Sequence, residues 1–168
     1  MILVVCLNPT LQKTLLFSWL REGEVNRTST YYLDASGKGV NVTRILAQLG
    51  IPAVHLTHAG GVFRELFLTL AERDGLRVLA PDSGSEVRFC TTLLNREKGT
   101  TTELVEEAKP VEPATEKEVR QAFQTLLGDV QCLVISGTRA PGYRDTLYVK
   151  FVRDAKKAGK RVVLDIRG

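Results

Sequence analysis

The sequence predicts an α/β fold, a mostly parallel sheet flanked by helices, with a small antiparallel β-sheet set apart as a lid. Three observations carry that prediction. Apolar strand-like runs alternate with stripes of helical period. Two segments, 13–35 and 86–108, break the alternation and are rich in Thr, Val, Tyr, Phe and Leu. A glycine turn at Gly37-Lys38-Gly39 opens directly into a helical pattern. With 168 residues, 43% of them hydrophobic, the chain can bury a core and is about the size of one domain.

Ile2–Leu7 is the first strand run, ended by Asn8-Pro9. A helix is predicted over Val40–Leu49, where Val42, Ile45, Leu46 and Leu49 recur at i, i+3, i+4 and i+7 before Gly50 and Pro52 stop it. A strand over Ala53–Thr57 follows, then a helix over Val62–Asp74 striped by Phe63, Leu66, Phe67, Leu70 and Ala71, then a strand over Arg77–Ala80. Thr115 and Glu118 make a capping box for a helix over Glu116–Leu127, striped by Val119, Ala122, Phe123, Leu126 and Leu127. A strand at Cys132–Ile135, a helix at Arg144–Ala158 and a strand at Val162–Leu164 complete the series. All the stripes are expected to face the core. In 13–35 and 86–108, turns near Arg21-Glu22-Gly23 and Arg96-Glu97-Lys98-Gly99 predict antiparallel hairpins. Such hairpins are marginal alone, so they are expected to pair with each other.

Composition narrows the function classes. The net charge of +4 comes from 23 basic and 19 acidic residues spread along the chain, which reads as a solvated surface. The densest basic run, Lys156, Lys157, Lys160 and Arg161, has no interleaved aromatic residues and lies at a helix end, so no nucleic-acid partner is expected. No stretch approaches the roughly 18 apolar residues of a membrane span. Cys6, Cys90 and Cys132 sit in apolar runs without Cys-x-x-Cys spacing, which predicts buried thiols, no metal site and a reducing, cytoplasmic setting. His55 and His58 read as packed or loop residues.

Gly37-Lys38-Gly39-Val40-Asn41-Val42-Thr43-Arg44 is the stretch that points to chemistry. Glycines let backbone approach a ligand, a helix N-terminus offers free N–H groups, and Lys38 adds a positive charge. The spacing fits neither the P-loop nor the Gly-x-Gly-x-x-Gly of dinucleotide binders, so the anion belongs on a substrate. The plain alternative is a glycine turn that starts a helix.

Taken together, Asn8-Pro9, this stretch, Glu86-x-Arg88, and Ser136-Gly137 followed by Pro141-Gly142 resemble the ribokinase-like carbohydrate kinases. The likeness is to the phosphofructokinase B branch, which holds 1-phosphofructokinase and tagatose-6-phosphate kinase. It extends over essentially the whole chain and implies a ribokinase-like fold with a lid over the sheet's C-terminal edge. The implied activity is transfer of the γ-phosphoryl group of ATP, with Mg2+, to a phosphorylated ketose.

Carried over residue by residue, Gly37 and Gly39 would approach the sugar by backbone, Lys38 and Arg88 would hold its phosphate, and Asn41 would bond a hydroxyl. Arg88 suits phosphate on physical grounds, since a guanidinium offers a two-pronged fork. Its alternative is a lid-surface side chain paired with Glu86. Two departures stand out. Gln12 replaces the family's sugar-binding aspartate, and Arg139 replaces a leucine, as a second phosphate ligand or as an ordinary loop charge.

The family's catalytic motif is Gly-Ala-Gly-Asp, and residues 1–168 contain no Gly-x-Gly-Asp. The resemblance therefore implies that 1–168 is the N-terminal portion of the kinase domain, with lid segments 13–35 and 86–108. The C-terminal ATP-binding and catalytic half, with its general-base Asp, is expected beyond Gly168. Asp34 and Asp165 are the carboxylates nearest the expected site. A homodimer through the lid is implied, because exposed lid edges need covering. The alternatives are a module that binds sugar phosphate without turnover, and a domain kept for lid-mediated dimerisation.

Overall fold

The computed structural model describes residues 1–166. Its elements are β1 (Ile2–Leu7), β2 (Thr10–Phe17), β3 (Thr30–Ser36), α1 (Lys38–Gln48), β4 (Ala53–Leu56), β5 (Ala59–Gly60), α2 (Arg64–Arg73), β6 (Val78–Leu79), β7 (Asp82–Glu86), β8 (Arg88–Asn95), β9 (Thr100–Val105), α3 (Thr115–Leu127), β10 (Cys132–Arg139), α4 (Leu147–Lys157) and β11 (Arg161–Asp165). The main sheet is entirely parallel, in the order β11-β10-β1-β4-β6. From β1 the chain runs outward through β4 and β6, and later returns on the other side as β10 and β11. The strand order therefore reverses between β1 and β10, where open α/β sheets form their ligand crevice.

Alternation along β1 divides the core. Leu3, Val5 and Leu7 face one side, where Val119, Phe123, Leu126 and Leu127 of α3 and Leu147, Tyr148, Phe151 and Ala155 of α4 bury them. Phe123 and Phe151 stack there at 4.0 Å between centroids. Cys6 faces the opposite side, against the start of α1. A second core joins α2 to the lid root through Leu11, Ala35, Val40, Phe67, Leu70 and Val87. Gly50, Gly75 and Gly159 end α1, α2 and α4 alike: each glycine N–H and the N–H after it bond back to the helix's last carbonyls. No helix among the described residues is long and apolar enough to cross a membrane.

The two predicted hairpins form one four-stranded sheet, β3-β2-β8-β9. Each hairpin is antiparallel, and the two join through a parallel β2–β8 pairing that sets Thr10 opposite Arg88. A short β5–β7 pair had no counterpart in the sequence reading.

Two expectations need correction. Thr115 is not a cap: Ala114 holds the N-cap position without a side-chain bond, the Thr115 hydroxyl turns to Ser83 O, and Glu116 binds Arg144. The apolar stripe of α1 is not its core face. Gly39, Val40 and Thr43 are buried, whereas Ile45 and Leu49 are 54% and 67% exposed. Gly39 decides this, because only a residue without a side chain can lie this close to Cys6 and His55; a Cβ would sit 2.5 Å from each.

Candidate functional site

A cleft of about 550 Å3 lies where the lid meets the C-terminal ends of β1, β10 and β11. Cys6 and Asn8 line it from the end of β1, Gly37 and Lys38 from the start of α1, Arg88 from the lid, Gly137 and Thr138 from β10, and Asp165 and Ile166 from the end of β11. Gly37 makes the turn at φ 113°, pressed against Asn8, Pro9 and Thr10. Opposite it β10 bulges: Val5 pairs with Ile135 but Leu7 with Arg139, which carries Gly137 toward Cys6 and Lys38.

Lys38 and Arg88, separated by fifty positions in sequence, thus line one cleft from body and lid. Lys38 Nζ meets Asp165 Oδ2 at 3.2 Å, and Ser136 Oγ donates to the same oxygen at 2.9 Å. The Ser136 bond and the Lys38 ammonium hold the Asp165 carboxyl below its ordinary range. Arg88 does not pair with Glu86, whose carboxylate accepts from the Val62 and Phe63 N–H groups at the start of α2. Arg88 Nη1 donates to Glu106 O at 2.8 Å, while its buried Nε has no partner. Asn8 Nδ2 donates to Thr138 Oγ1 at 2.9 Å, while its buried Oδ1 likewise has none. Buried polar atoms are nearly always paired, so these two orphans, on residues that line one cleft, stand out.

The remaining predicted residues are dispersed around this cleft. Gln12 and Asn41 line a neighbouring hollow of about 800 Å3 with Asp34, Ser36, Arg44 and Asp74, on the far side of the Ser36–Gly37 turn. Gly39 is buried in the packing of α1 on the sheet. Arg139 lines a third, adjoining hollow, paired with Asp145 and lying over the Tyr148 ring at 5.9 Å. Asp34, on the Gln12–Asn41 hollow, pairs with Arg73 at 2.9 Å.

Beneath the site, His55 and His58 are buried, and loss of solvent lowers both to about 4. His55 Nδ1 lies 3.2 Å from Val4 O, and His58 Nδ1 lies 2.9 Å from the Tyr143 hydroxyl. They are packed residues, as the sequence suggested. Burial also raises the Cys6 thiol, against nearby N–H groups and cations that favour its thiolate.

Asn8, Thr138 and Asp165 complete the cleft. The sequence marks Asn8-Pro9 as a strand ending and as part of the family resemblance, without a binding role; the usable signal is an amide at the C-terminal end of the central strand.

Among the described residues no group of three His, Cys, Asp or Glu side chains could enclose a metal, and Asp165 is the cleft's only carboxylate.

The model of pfkB family carbohydrate kinases matches residues 3–168. A solved structure from Thermotoga maritima, described as a possible 1-phosphofructokinase, superposes with a TM-score of 0.92 at 23% identity, over 98% of this chain and 53% of that one. Phosphofructokinase-2 from Escherichia coli in complex with fructose-6-phosphate gives 0.88 at 21% identity, over 99% and 55%. Ribokinase from Giardia lamblia gives 0.73 at 15% identity, over 97% and 50%. At such identities the likeness carries the fold, and this chain spans about half the length of the structures it matches.

Proposed function

Because the chain belongs to the pfkB family of carbohydrate kinases and has its ribokinase-like fold, we propose that it supplies the sugar-phosphate site and lid of a kinase that transfers phosphate from ATP to a phosphorylated ketose. One observation carries this reading. Lys38, from the start of α1, and Arg88, from the lid, line one cleft together with the polar side chains of Asn8 and Thr138. Two cations beside an amide and a hydroxyl suit a ligand that carries negative charge and both donates and accepts. A hydroxyl-bearing phosphate ester has that chemistry.

In this reading the phosphate lies between the Lys38 ammonium and the Arg88 guanidinium. The sugar crosses the Ser36–Gly37 turn, so that Gln12 and Asn41 meet its hydroxyls. The lid excludes water. ATP with Mg2+ would bring the transferable phosphoryl group; no described residue is assigned to hold it and no base is assigned here. Fructose 6-phosphate is the first substrate to try, because it occupies the related Escherichia coli enzyme.

Two copies are proposed to pair through their lids. Tyr31 and Tyr32 on β3, and Leu104 and Val105 on β9, stand exposed on the outer strands.

Calorimetric titration of the chain with fructose 6-phosphate tests the reading. One-site binding that is lost in Lys38→Ala and in Arg88→Met is expected. No binding of any ketose phosphate, or binding indifferent to both substitutions, would overturn it. Binding without dependence on ATP, in a full-length protein that shows no turnover, would instead favour a non-catalytic sugar-phosphate module.

A further inference from the structure

We infer that Arg44 is a positioning residue that fixes the sense of the Asn41 carboxamide, so that position 41 presents a hydrogen-bond donor to the sugar. This rests on the proposed placement of a sugar hydroxyl at Asn41.

Arg44 follows Asn41 by one turn of α1, where side chains three apart share a face. Four of its five N–H groups are engaged by protein. Nε and Nη2 donate to Asp74 Oδ2 at 3.1 and 2.7 Å, Nη2 donates to Ala35 O of the lid strand at 2.8 Å, and Nη1 donates to Asn41 Oδ1 at 2.8 Å. Although Arg44 lines the hollow, every one of its nitrogens already holds a protein acceptor, and one Nη1–H remains.

What it controls is its neighbour. The oxygen and nitrogen of a side-chain amide exchange places by a half-turn, and the surrounding hydrogen bonds decide which way round they sit. A guanidinium has donors and no acceptor, so the Asn41 oxygen must face Arg44. The Nδ2 group, with no protein partner among the described residues, is left for the hollow. Gln12 lines the same hollow and donates its Nε2 to Thr92 Oγ1 at 2.7 Å, which leaves its Oε1 free to accept. One hydroxyl can accept from Asn41 and donate to Gln12. The pair reads a hydroxyl through one donor and one acceptor, and the Gln12 amide does so without the charge of a carboxylate.

A merely structural Arg44 would tie α1 to Asp74 and the lid strand, and nothing more. Asn41→Asp, which leaves the Arg44 bonds to Asp74 and Ala35 O in place, separates the two roles, and the sense of the amide is probed by the charge-exchanged variant Arg44→Glu with Asp74→Arg, which gives up the Ala35 bond. The exchange keeps an ion pair between these positions but offers Asn41 an acceptor, which turns its oxygen into the hollow. The full chain is titrated with fructose 6-phosphate, thermal unfolding is followed, and the Asn41 side-chain amide is observed by 15N–1H NMR without ligand.

The expected result is near-normal unfolding with affinity at least tenfold weaker in the exchanged variant. Asn41→Asp, whose carboxylate still accepts from Arg44, should also stay folded and bind at least tenfold more weakly. In Arg44→Met the Asn41 amide resonances should move in the absence of sugar. Normal affinity in the exchanged variant, or unmoved Asn41 resonances in Arg44→Met, would overturn the inference. A wild-type chain that binds no sugar phosphate, yet shows the Arg44-dependent shift, would overturn the functional reading and leave the positioning of Asn41 standing.

Discussion

Lys38 and Asp165 meet across the C-terminal edge of the main sheet, Nζ to Oδ2 3.2 Å, with side chains 62% and 63% exposed. A phosphate that is to engage Lys38 must therefore compete with a carboxylate already there. Asp165→Asn removes that competitor, and since exposed pairs are weak the gain in sugar-phosphate affinity should be about two- to fivefold. Lys38→Ala should weaken it about tenfold to a hundredfold, the scale of a charge-assisted bond. Calorimetry measures both. Weaker binding in Asp165→Asn would remove Lys38 from the phosphate site.

Arg88→Lys keeps the charge but not the fork. A lysine cannot hold Glu106 O and present a second nitrogen to the ligand at once, as the guanidinium can. Affinity for fructose 6-phosphate should fall about tenfold. An Arg88→Lys chain that binds like the wild type would mean that simple charge suffices.

Gly39→Ala tests packing rather than binding. The added carbon would lie 2.5 Å from Cys6 Cβ and His55 Cε1, on the face where α1 meets the sheet. Overpacking of this kind costs about 1–3 kcal/mol, readable as a lowered urea midpoint. An unchanged midpoint would show that α1 can lift from the sheet without penalty.

Stability should fall with acid in a defined window. His55 and His58 are lowered to about 4 in the folded chain by burial, against an ordinary 6.5. Between those values the unfolded chain takes up protons that the folded chain refuses, so stability is intact above pH 6.5 and declines as pH drops toward 4. Full loss corresponds to about 3 kcal/mol for each histidine. Urea unfolding across that range measures the slope, and His58→Gln should flatten it by about half. A slope unaffected by that substitution would show that His58 is not one of the protonating groups.

Much of the fold could be read from period alone. The stripes on α2 and α3 face the core as predicted, because each has a single apolar side that can meet the sheet or the lid root. The stripe on α1 misled because hydrophobicity competes there with proximity: Gly39 sets which side touches the sheet, and Ile45 and Leu49 turn outward with it. The same limit applies to Thr115 and Glu118, whose spacing fits a cap although Ser83 and Arg144 supply the local partners. Lys38 and Arg88 were legible as a pair through the resemblance, and the parallel β2–β8 register brings the lid's arginine to the cleft. The tie that Arg44 makes between Asn41, Ala35 and Asp74 was not legible, because it depends on three segments that converge only in the folded chain.

Asn8-Pro9 alone joins β1 to β2, Ser36-Gly37 returns the chain from β3 to α1, and Val87 alone separates β7 from β8. Gly37 is packed against Asn8, Pro9 and Thr10, and Thr10 donates its hydroxyl to Arg88 O. Three of the four connections between lid and body therefore pass through one knot, which borders the Lys38–Arg88 cleft, and the fourth, residues 106–114, leaves the lid from β9. A tilt of the smaller sheet about that knot would change the span between the two cations, so opening the flap would also loosen the grip.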